Sequence, residues 1–540
     1  MKKRIMIALC CLVLLVQLLP IVPMAETVDA GIPAYNSDIY YCREQLKTLK
    51  NSDALLFAYD NIVAGIDACA EEIVISNGQY KLSLDEFEMV LEATRRDHTE
   101  QFWMGTTYTP YTDYSETVVE KIVPTYLMTG AALQDAKTAF EQAIARFLDR
   151  LDPDMSEYEM EKALHDMLAV QVTYVSGDNA HNAYGALVEG KAVCEGYAEA
   201  LQCLLQRVGI QSVEVFGESR GENHAWNMVR IDGKYYLVDL TWNDQDTILL
   251  YAYFNQTTAV FNEDHLQWVI GYKNGKLLGC EVFKLPTCTA TAANYFTKEG
   301  LRINTYTVES IGKLMKDNGL SISVFVEGSP DAFVAWYEKN VTQIATEAGV
   351  TGSFMYGNLQ IGREVRIYFD TCEHTELELV AAKAATCEED GNAEYYVCKN
   401  EECGKWFTLE VDSEGEQYKV EIMNRESVKV FSIGHDWSLR NTADEKTLKQ
   451  KATNCQESDT YWYVCASCGE MSDVYTFTTV AGAHEDEDGD GVCDLCRDGE
   501  SSFDVGGILD FIMENPLILG GGGGAIVLAI ILAIISKARG

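Results

Sequence analysis

The 540-residue chain is short of positive charge, because 42 Lys and Arg stand against 83 Asp and Glu and the formal net charge is −41. Such acidity repels phosphates, which excludes binding of nucleic acid or of an anionic membrane by the bulk of the chain. Hydrophobic residues make up 47% and aromatic residues 10%, which excludes wholesale disorder. A chain of this length exceeds a single core, so we expect three or more domains.

The two ends of the chain predict export. Basic residues precede an apolar run over residues 5–22, and small residues follow, a pattern typical of a secretory signal peptide over 1–30. Residues 516–535 carry no charge and are long enough to cross a bilayer as a helix. The Lys and Arg that follow place the C-terminus in the cytoplasm. We therefore expect a cell-membrane protein whose bulk is extracellular; an uncleaved N-terminal anchor and a removable C-terminal sorting tail are the alternatives, although no LPxTG-like motif is present.

Apolar spacing divides the middle of the chain. Ala136, Phe140 and Phe147 belong to a stripe that follows one face of a helix, and similar spacing recurs from about residue 40. We therefore predict a helical N-terminal domain over 31–150, with this stripe in its core. Residues 290–371 alternate between strand and helix patterns and predict a small α+β domain.

A cysteine predicted at the start of a helix is the first candidate for chemistry. Residues 190–198 read Gly-Lys-Ala-Val-Cys-Glu-Gly-Tyr-Ala, and apolar residues at helical spacing follow until Gly209 supplies a stop. Cys194 is therefore expected at a helix N-terminus, where the dipole and free N–H groups stabilise a thiolate. Taken alone, a cysteine in this position is more often a small buried residue.

A predicted β-hairpin fixes the relative positions of a histidine and an aspartate. The dipeptide Asp-Gly at 232–233 is a two-residue hairpin turn signal between two strand patterns, which run over 224–231 and 234–242. If Ile231 pairs with Lys234, His224 and Asp239 become diagonal neighbours on one face of the sheet. Diagonal positions lie about 7–8 Å apart, within reach of a hydrogen bond from an imidazole to a carboxylate.

A thiol, an imidazole and a carboxylate brought together are the parts of a nucleophilic catalyst. The imidazole takes the thiol proton, and the carboxylate fixes its tautomer and stabilises the imidazolium. The segments that carry the three groups, at 190–198, 224–227 and 238–244, resemble the three sequence blocks of the transglutaminase-like superfamily.

This resemblance implies a papain-like catalytic domain over 151–275, with Cys194 as nucleophile, His224 as general base and acid, and Asp239 as the orienting carboxylate. It implies a transglutaminase-like cysteine protease, amidase or acyltransferase that forms an acyl-thioester and passes it to water or an amine. The expected partner is a peptide or protein substrate such as cell-wall peptide, and no cofactor is required for catalysis. The alternative is an inactive surface adhesin or binding protein that uses the domain as a scaffold.

The region over 372–500 predicts a second kind of cysteine chemistry. A weak repeat places one histidine and three cysteines in each of two units, which suits tetrahedral zinc of the Cys₃His type, and metal capture is then a third candidate function. The units also resemble cysteine repeats of secreted Gram-positive proteins, and disulfides are as consistent with the pattern, because extracellular thiols oxidise readily. The predicted ligands are His374, Cys387, Cys398 and Cys403 in the first unit and His435, Cys455, Cys465 and Cys468 in the second.

A third partial unit resembles the start of a calcium loop. Asp486, Asp488 and Asp490 alternate before Gly491, and hard cations prefer such oxygen ligands. Arg497 occupies the place of the acidic twelfth ligand, so weak calcium binding and a solvated acidic stalk both fit. The expected architecture is α+β overall, with the helical N-terminal domain, the papain-like core, the small α+β domain, the cysteine-rich repeats and the C-terminal transmembrane helix.

Overall fold

The structure, a computed structural model, describes most of the chain between residues 39 and 478. The gaps within that range are 116, 246–247, 270–271, 274–275, 278–282, 401–402, 412–416, 436, 438 and 452–457. The predicted signal peptide over 1–30, the membrane helix over 516–535 and the calcium loop at 486–490 lie outside the described residues. Among the described residues, no helix combines the length and the apolarity needed to cross a membrane. The chain divides into a large unit that ends at His435 and a smaller unit beyond it.

The N-terminal part of the large unit combines helices with a three-stranded sheet of order β1–β3–β2. The prediction of a helical N-terminal domain over 31–150 therefore did not include this sheet. The segment over 104–126 is rich in Thr, Tyr and Val, which favour strands, and it forms two strands between segments that are helical as predicted. The elements are α1 (Tyr41–Leu46), α2 (Ser52–Asp67), β1 (Ile73–Val74), α3 (Leu84–Asp97), β2 (Met104–Thr112), β3 (Val119–Tyr126) and α4 (Gly130–Leu148).

The next part contains the hairpin and the cysteine helix that the sequence predicted. Its main sheet is antiparallel with the order β11–β6–β7–β8. A π-helical turn at Gly185–Glu189 precedes the cysteine helix α6. The elements are α5 (Glu157–Gln171), β4 (Thr173–Tyr174), β5 (Lys191–Ala192), α6 (Cys194–Arg207), β6 (Ser212–Ser219), β7 (Glu222–Ile231), β8 (Lys234–Val238), α7 (Leu240–Asn243), β9 (Asp244–Gln245), β10 (Ile248–Leu249), α8 (Thr258–Phe261), β11 (His265–Val269), β12 (Tyr272–Lys273) and β13 (Lys276–Leu277).

The hairpin register follows from its turn. Asp232 and Gly233 have φ values of 49° and 71°, the left-handed conformation that a two-residue turn requires at both positions. Ile231 therefore pairs with Lys234, as predicted, and the ladder runs on to the pair of Asn227 and Val238.

One hydrophobic core joins the N-terminal part to the part that contains the hairpin. Tyr59 and Phe87 from the first and Trp226 and Phe254 from the second are almost fully buried in it. The predicted boundary after residue 150 therefore does not separate two cores. The N-terminal helices therefore share a core with the sheet that contains the hairpin.

The small α+β part has a core of its own, which includes Val324, Phe333, Ile344 and Ile367. Its sheet has the order β14–β15–β17–β16, in which only the first pair is parallel. The elements are α9 (Tyr295–Lys298), β14 (Arg302–Ile303), α10 (Val308–Asp317), β15 (Ser321–Val326), α11 (Pro330–Glu347), β16 (Met355–Ile361) and β17 (Glu364–Asp370).

The cysteine-rich part is built from short strands. In the large unit they form a sheet of order β18–β20–β21–β22 and the pair β19–β23, and in the smaller unit a sheet of order β24–β25–β26. The strands are β18 (Leu377–Val380), β19 (Gly391–Asn392), β20 (Tyr395–Cys398), β21 (Trp406–Val411), β22 (Gln417–Glu421), β23 (Lys429–Val430), β24 (Leu448–Gln450), β25 (Thr460–Val464) and β26 (Met471–Thr478), with 3₁₀ turns at Arg425–Val428 and Glu445–Thr447.

Candidate active site

Cys194 is the first residue of α6, as predicted. The residue before it, Val193, is extended and supplies no side-chain cap, so the first-turn N–H groups are left for other partners. Gly196 is needed one turn into the helix, because a Cβ there would lie 2.4 Å from the carbonyl oxygen of Ala180 and 3.0 Å from the Cβ of Ala192. Glycine at this position therefore lets the preceding loop cross the start of the helix and hold the cysteine in place.

The start of α6 is fixed against the strand that carries His224. The Cys194 side chain packs on a small apolar group formed by Ala198, Phe216 and Ala225, of which the last two pair across β6 and β7. Asn227 on β7 also donates a hydrogen bond of 2.9 Å from Nδ2 to the carbonyl oxygen of Ala198. The helix and the strand are thereby held in one register at the thiol.

His224 and Asp239 meet as the hairpin register requires. His224 Nε2 lies 2.7 Å from Asp239 Oδ2, and both side chains are buried. The return strand ends earlier than predicted, at Val238 rather than Trp242, because Asp239 caps the short helix α7. Asp239 Oδ1 accepts a 3.1 Å hydrogen bond from the Trp242 backbone N–H, so one carboxylate both orients the imidazole and begins a helix.

A second imidazole shares this carboxylate. His265 Nε2 lies 3.1 Å from Asp239 Oδ2, and its Nδ1 lies 2.7 Å from Asp264 Oδ1. His265 is fully buried at the start of β11, which pairs with β6 on the far side of the sheet from β8. No local spacing relates β11 to the hairpin, so His265 was not among the predicted site residues.

The surroundings of His224 and Asp239 favour the charged form of both side chains. Burial lowers the pKa of His224, but the charge and hydrogen bond of Asp239 and the contact with Cys194 outweigh it, and the pKa of His224 is raised to about 10. Burial raises the pKa of Asp239, yet His224 and His265 hold it well below its usual value. At neutral pH the pair is therefore an imidazolium and a carboxylate. Because Nε2 is engaged by Asp239, the nitrogen that faces the Cys194 thiol is Nδ1.

The rim of the site carries two features that the sequence analysis did not single out. The parallel pairing of β4 with β5 sets Tyr174 opposite Ala192, where its hydroxyl meets the Cys194 backbone amide. Tyr174 is 56% exposed, so the hydroxyl can also meet a bound carbonyl. The Arg220 guanidinium lies 3.5 Å above the Trp242 ring, which adds a cationic, aromatic wall beside His224.

The comparison with protein families fits this geometry. Residues 145–240, which include all three triad residues, match the family model described as "Transglutaminase-like superfamily". The chain therefore contains a transglutaminase-like superfamily domain.

The relatives of the transglutaminase-like domain are similar over a limited length. The kyphoscoliosis peptidases of Homo sapiens and of Mus musculus are each 35% identical over 96 residues, which cover 14% of this chain and 14% of either relative. The likeness concerns that segment alone, since the chain spans so small a share of those proteins. A crystal structure of a TGase is 15% identical, with a TM-score of 0.18 over 27% of this chain and 47% of the other.

The site also contains three residues, two of them from the triad, that could hold a metal ion by distance alone. His224, Asp239 and His265 offer ligand atoms within 4.8 Å of one another. The same atoms are already paired, because both Nε2 atoms bond to Asp239 Oδ2. The donor set of the transglutaminase-like domain therefore suits a hydrogen-bonded triad better than a metal.

The first predicted zinc unit is assembled with one ligand exchanged. His374, Cys398 and Cys403 come together with Cys372, whereas the predicted fourth ligand, Cys387, is not in this group. The pairing of β18 with β20 carries the segment before β18 alongside Cys398, while Cys387 lies in the loop beyond the other end of β18. Spacing along the repeat predicted the wrong neighbour because the strand pairing decides which cysteine is adjacent.

The second predicted zinc unit is described in part. In the large unit, ligand atoms of His435 and Cys387 lie within 4.8 Å of each other. In the smaller unit, the ligand atoms of Cys465 and Cys468 also lie within 4.8 Å of each other. Cys455 lies outside the described residues.

Proposed function

We propose that this protein is a cysteine acyltransferase or hydrolase that forms an acyl-thioester on Cys194 from a peptide or amide bond. The observation that carries the proposal is the chain of contacts from the Cys194 thiol through His224 to Asp239, within a transglutaminase-like domain. A cysteine that serves only in packing does not need an imidazole held as imidazolium by a buried carboxylate.

The geometry supports a two-step reaction. The thiolate attacks the carbonyl carbon, His224 Nδ1–H gives its proton to the leaving amine, and the C–N bond breaks to leave the thioester. His224 then takes a proton from water or an acceptor amine, which attacks the thioester, breaks the C–S bond and releases the thiolate. Asp239 stays ionised throughout and stabilises the imidazolium in each half. We propose the Cys194 backbone N–H and the Tyr174 hydroxyl, which lie beside each other, as donors to the carbonyl oxygen.

The substrate is proposed as an exposed peptide segment, since the thiol lies at a surface bounded by Tyr174, Arg220 and Trp242. We also propose a cell-surface location, on the sequence patterns at 1–30 and 516–535, with cell-wall peptide as a substrate. Protease accessibility of the domain on intact cells that express the full chain tests that location.

The test uses the full chain with a library of peptides and a biotinylated alkylamine, in water enriched in ¹⁸O. Transamidation adds the amine to a peptide, hydrolysis adds the heavy oxygen, and mass spectrometry separates the two. We expect one of these products with the native chain and neither with Cys194→Ala.

A matched control removes another thiol of the same helix. Cys203 is buried near the end of α6, away from His224, so Cys203→Ala is expected to keep both the product and labelling of Cys194 by iodoacetamide. If Cys194→Ala retains turnover, the triad is not the catalyst. A folded native chain whose Cys194 stays unlabelled favours the scaffold alternative.

A further inference from the structure

We propose that Cys372, His374, Cys398 and Cys403 form a structural zinc site that holds the first cysteine-rich segment to the small α+β part. Each residue offers one ligand atom, and the four atoms lie within 4.8 Å of one another. The proposal concerns different residues from the triad and does not depend on the proposed activity.

The spacing of the four atoms is that of a tetrahedron around Zn²⁺. With Zn–S bonds of about 2.3 Å and a Zn–N bond of about 2.0–2.1 Å, neighbouring sulfurs lie about 3.8 Å apart and a sulfur and a nitrogen about 3.5 Å apart. In the structure Cys372 Sγ lies 3.6 Å from Cys398 Sγ, and Cys403 Sγ lies 3.4 Å from His374 Nδ1. These two measured distances are therefore close to the sulfur–sulfur and sulfur–nitrogen distances expected around zinc.

The surroundings of the four ligands are those of a metal site. His374 Nε2 lies 2.8 Å from Asp370 Oδ2, which leaves Nδ1 to face the sulfurs. Lys405 Nζ in turn donates to Asp370 Oδ2 at 2.7 Å. A carboxylate behind a histidine ligand fixes its ring and raises its basicity, and such partners accompany most metal-bound histidines.

Hydrogen-bond donors also point at one sulfur. The His374 backbone N–H and Asn400 Nδ2 lie 3.5 Å and 3.6 Å from Cys372 Sγ. Donors aimed at sulfur stabilise a thiolate, the form in which cysteine binds a metal.

Zinc fits this set better than the other assignments. Three sulfurs and one imidazole nitrogen in a tetrahedron exclude hard cations such as Ca²⁺ and Mg²⁺, which take oxygen ligands. A disulfide would join two of the three sulfurs and leave the third beside an imidazole that is already oriented towards it. The four-atom convergence is what a metal requires and a disulfide does not.

A metal cross-link would stabilise the first cysteine-rich segment where its hydrophobic burial is small. Among its described residues in the large unit, the buried apolar side chains are few and scattered, and none belongs to a core group. Phe407 packs on the His374 ring, with 4.7 Å between ring centroids. Small modules with little core are commonly stabilised by a structural metal, and zinc binding then contributes to folding directly.

The test measures which cysteines a metal protects in the native, full chain. Protein purified without chelator and supplied with Zn²⁺ is alkylated with N-ethylmaleimide before and after treatment with a chelator, and each cysteine is read by peptide mass spectrometry. We expect Cys372, Cys398 and Cys403 to become reactive together after chelation, whereas Cys69 reacts equally in both states. X-ray absorption at the zinc edge should report a coordination shell dominated by sulfur.

Variants check the stoichiometry. Cys403→Ser is expected to lower bound zinc by about one equivalent per chain, while Cys194→Ala, which removes a thiol elsewhere, leaves it unchanged. The alkylation pattern is read on the native chain and decides the matter even if Cys403→Ser misfolds. Disulfide-linked peptides among the three cysteines, or a reactivity pattern that chelation does not change, would overturn the proposal.

Discussion

Replacing Asp239 by asparagine tests whether the carboxylate holds His224 as an imidazolium. Asp239 Oδ2 accepts from both His224 and His265, and Oδ1 accepts from the Trp242 backbone N–H. An asparagine has one oxygen for these three donors, so in either orientation at least one N–H faces the new NH₂ group. We expect the free energy of unfolding to fall by about 1–3 kcal/mol, the cost of an unsatisfied buried donor.

The effect on reactivity follows from the pKa of His224. That pKa is raised from 6.5 to about 10, and at about 1.4 kcal/mol for each pKa unit the rise corresponds to roughly 5 kcal/mol in favour of the imidazolium. Cys194 contributes part of this energy, and an asparagine keeps one acceptor for the ring. We therefore expect Asp239→Asn to lose roughly half, about 2–3 kcal/mol, which is about a hundredfold in the population of the thiolate–imidazolium pair.

The assay is the rate of alkylation of Cys194 by iodoacetamide, followed by intact mass from pH 5 to pH 11. At pH 6 the wild type reacts through the ion pair, so Asp239→Asn should react about a hundredfold more slowly. At pH 11 a thiol ionises without help from an imidazolium, and the two rates should converge. Far-ultraviolet circular dichroism at each pH establishes that the variant is folded.

The matched control is a second Asp–His pair of the same domain, in which the imidazole is buried and the carboxylate is partly exposed. His165 Nδ1 lies 2.9 Å from Asp166 Oδ1, and the imidazole is fully buried. Asp166→Asn should change the alkylation rate of Cys194 equally little at every pH. A folded Asp239→Asn that reacts at the wild-type rate at pH 6 would refute the reasoning, because the carboxylate would then not control the charge on His224.

Three further predictions concern other residues. Tyr174→Phe removes a hydroxyl beside the Cys194 amide, so we expect kcat/KM to fall by about 10–100-fold while labelling of Cys194 persists. Burial lowers the pKa of His265, but Asp239 and Asp264 outweigh burial and raise this pKa overall. His265→Asn removes an imidazole that can carry positive charge beside Asp239, so the pKa of His224, read from the pH–rate profile, should rise. Burial raises the pKa of Glu161 from 4.5 to about 8, so its contribution to stability is full below pH 4.5 and is lost as the pH rises through about 8. The free energy of unfolding, measured with a denaturant, should therefore fall less between pH 6 and pH 9 for Glu161→Gln than for the wild type.

Much of the triad geometry could be predicted from sequence because it depends on short-range rules. The Asp-Gly turn fixes the register of β7 and β8, and that register alone brings His224 to Asp239. The start of α6 follows from helical spacing and a glycine stop, which puts Cys194 in the first turn. The end of β8 was predicted wrongly, because the strand pattern continues past Val238 whereas Asp239 caps a helix.

The residues that the sequence analysis missed are brought in by distant chain segments. His265 reaches Asp239 only because β11 pairs with β6, and Cys372 displaces Cys387 only because β18 pairs with β20. Neither pairing has a local signal such as a tight turn. The shared core of the N-terminal and catalytic parts was missed for the same reason, since periodicity marks which face of an element is buried and not which element covers it.

The two candidate sites use the same device, a histidine held by a carboxylate through Nε2 so that Nδ1 faces sulfur. The oxygen–nitrogen distances are 2.7 Å for Asp239 with His224 and 2.8 Å for Asp370 with His374. What differs is the number of sulfurs in reach. One thiol beside the imidazole can exchange its proton with it and attack a carbonyl. Three thiolates around an imidazole complete a metal's coordination sphere, and the Nδ1 lone pair bound to the metal can no longer take a proton. Iodoacetamide at neutral pH should therefore label Cys194 first, and the three thiols of the second site should follow only when a chelator removes the metal.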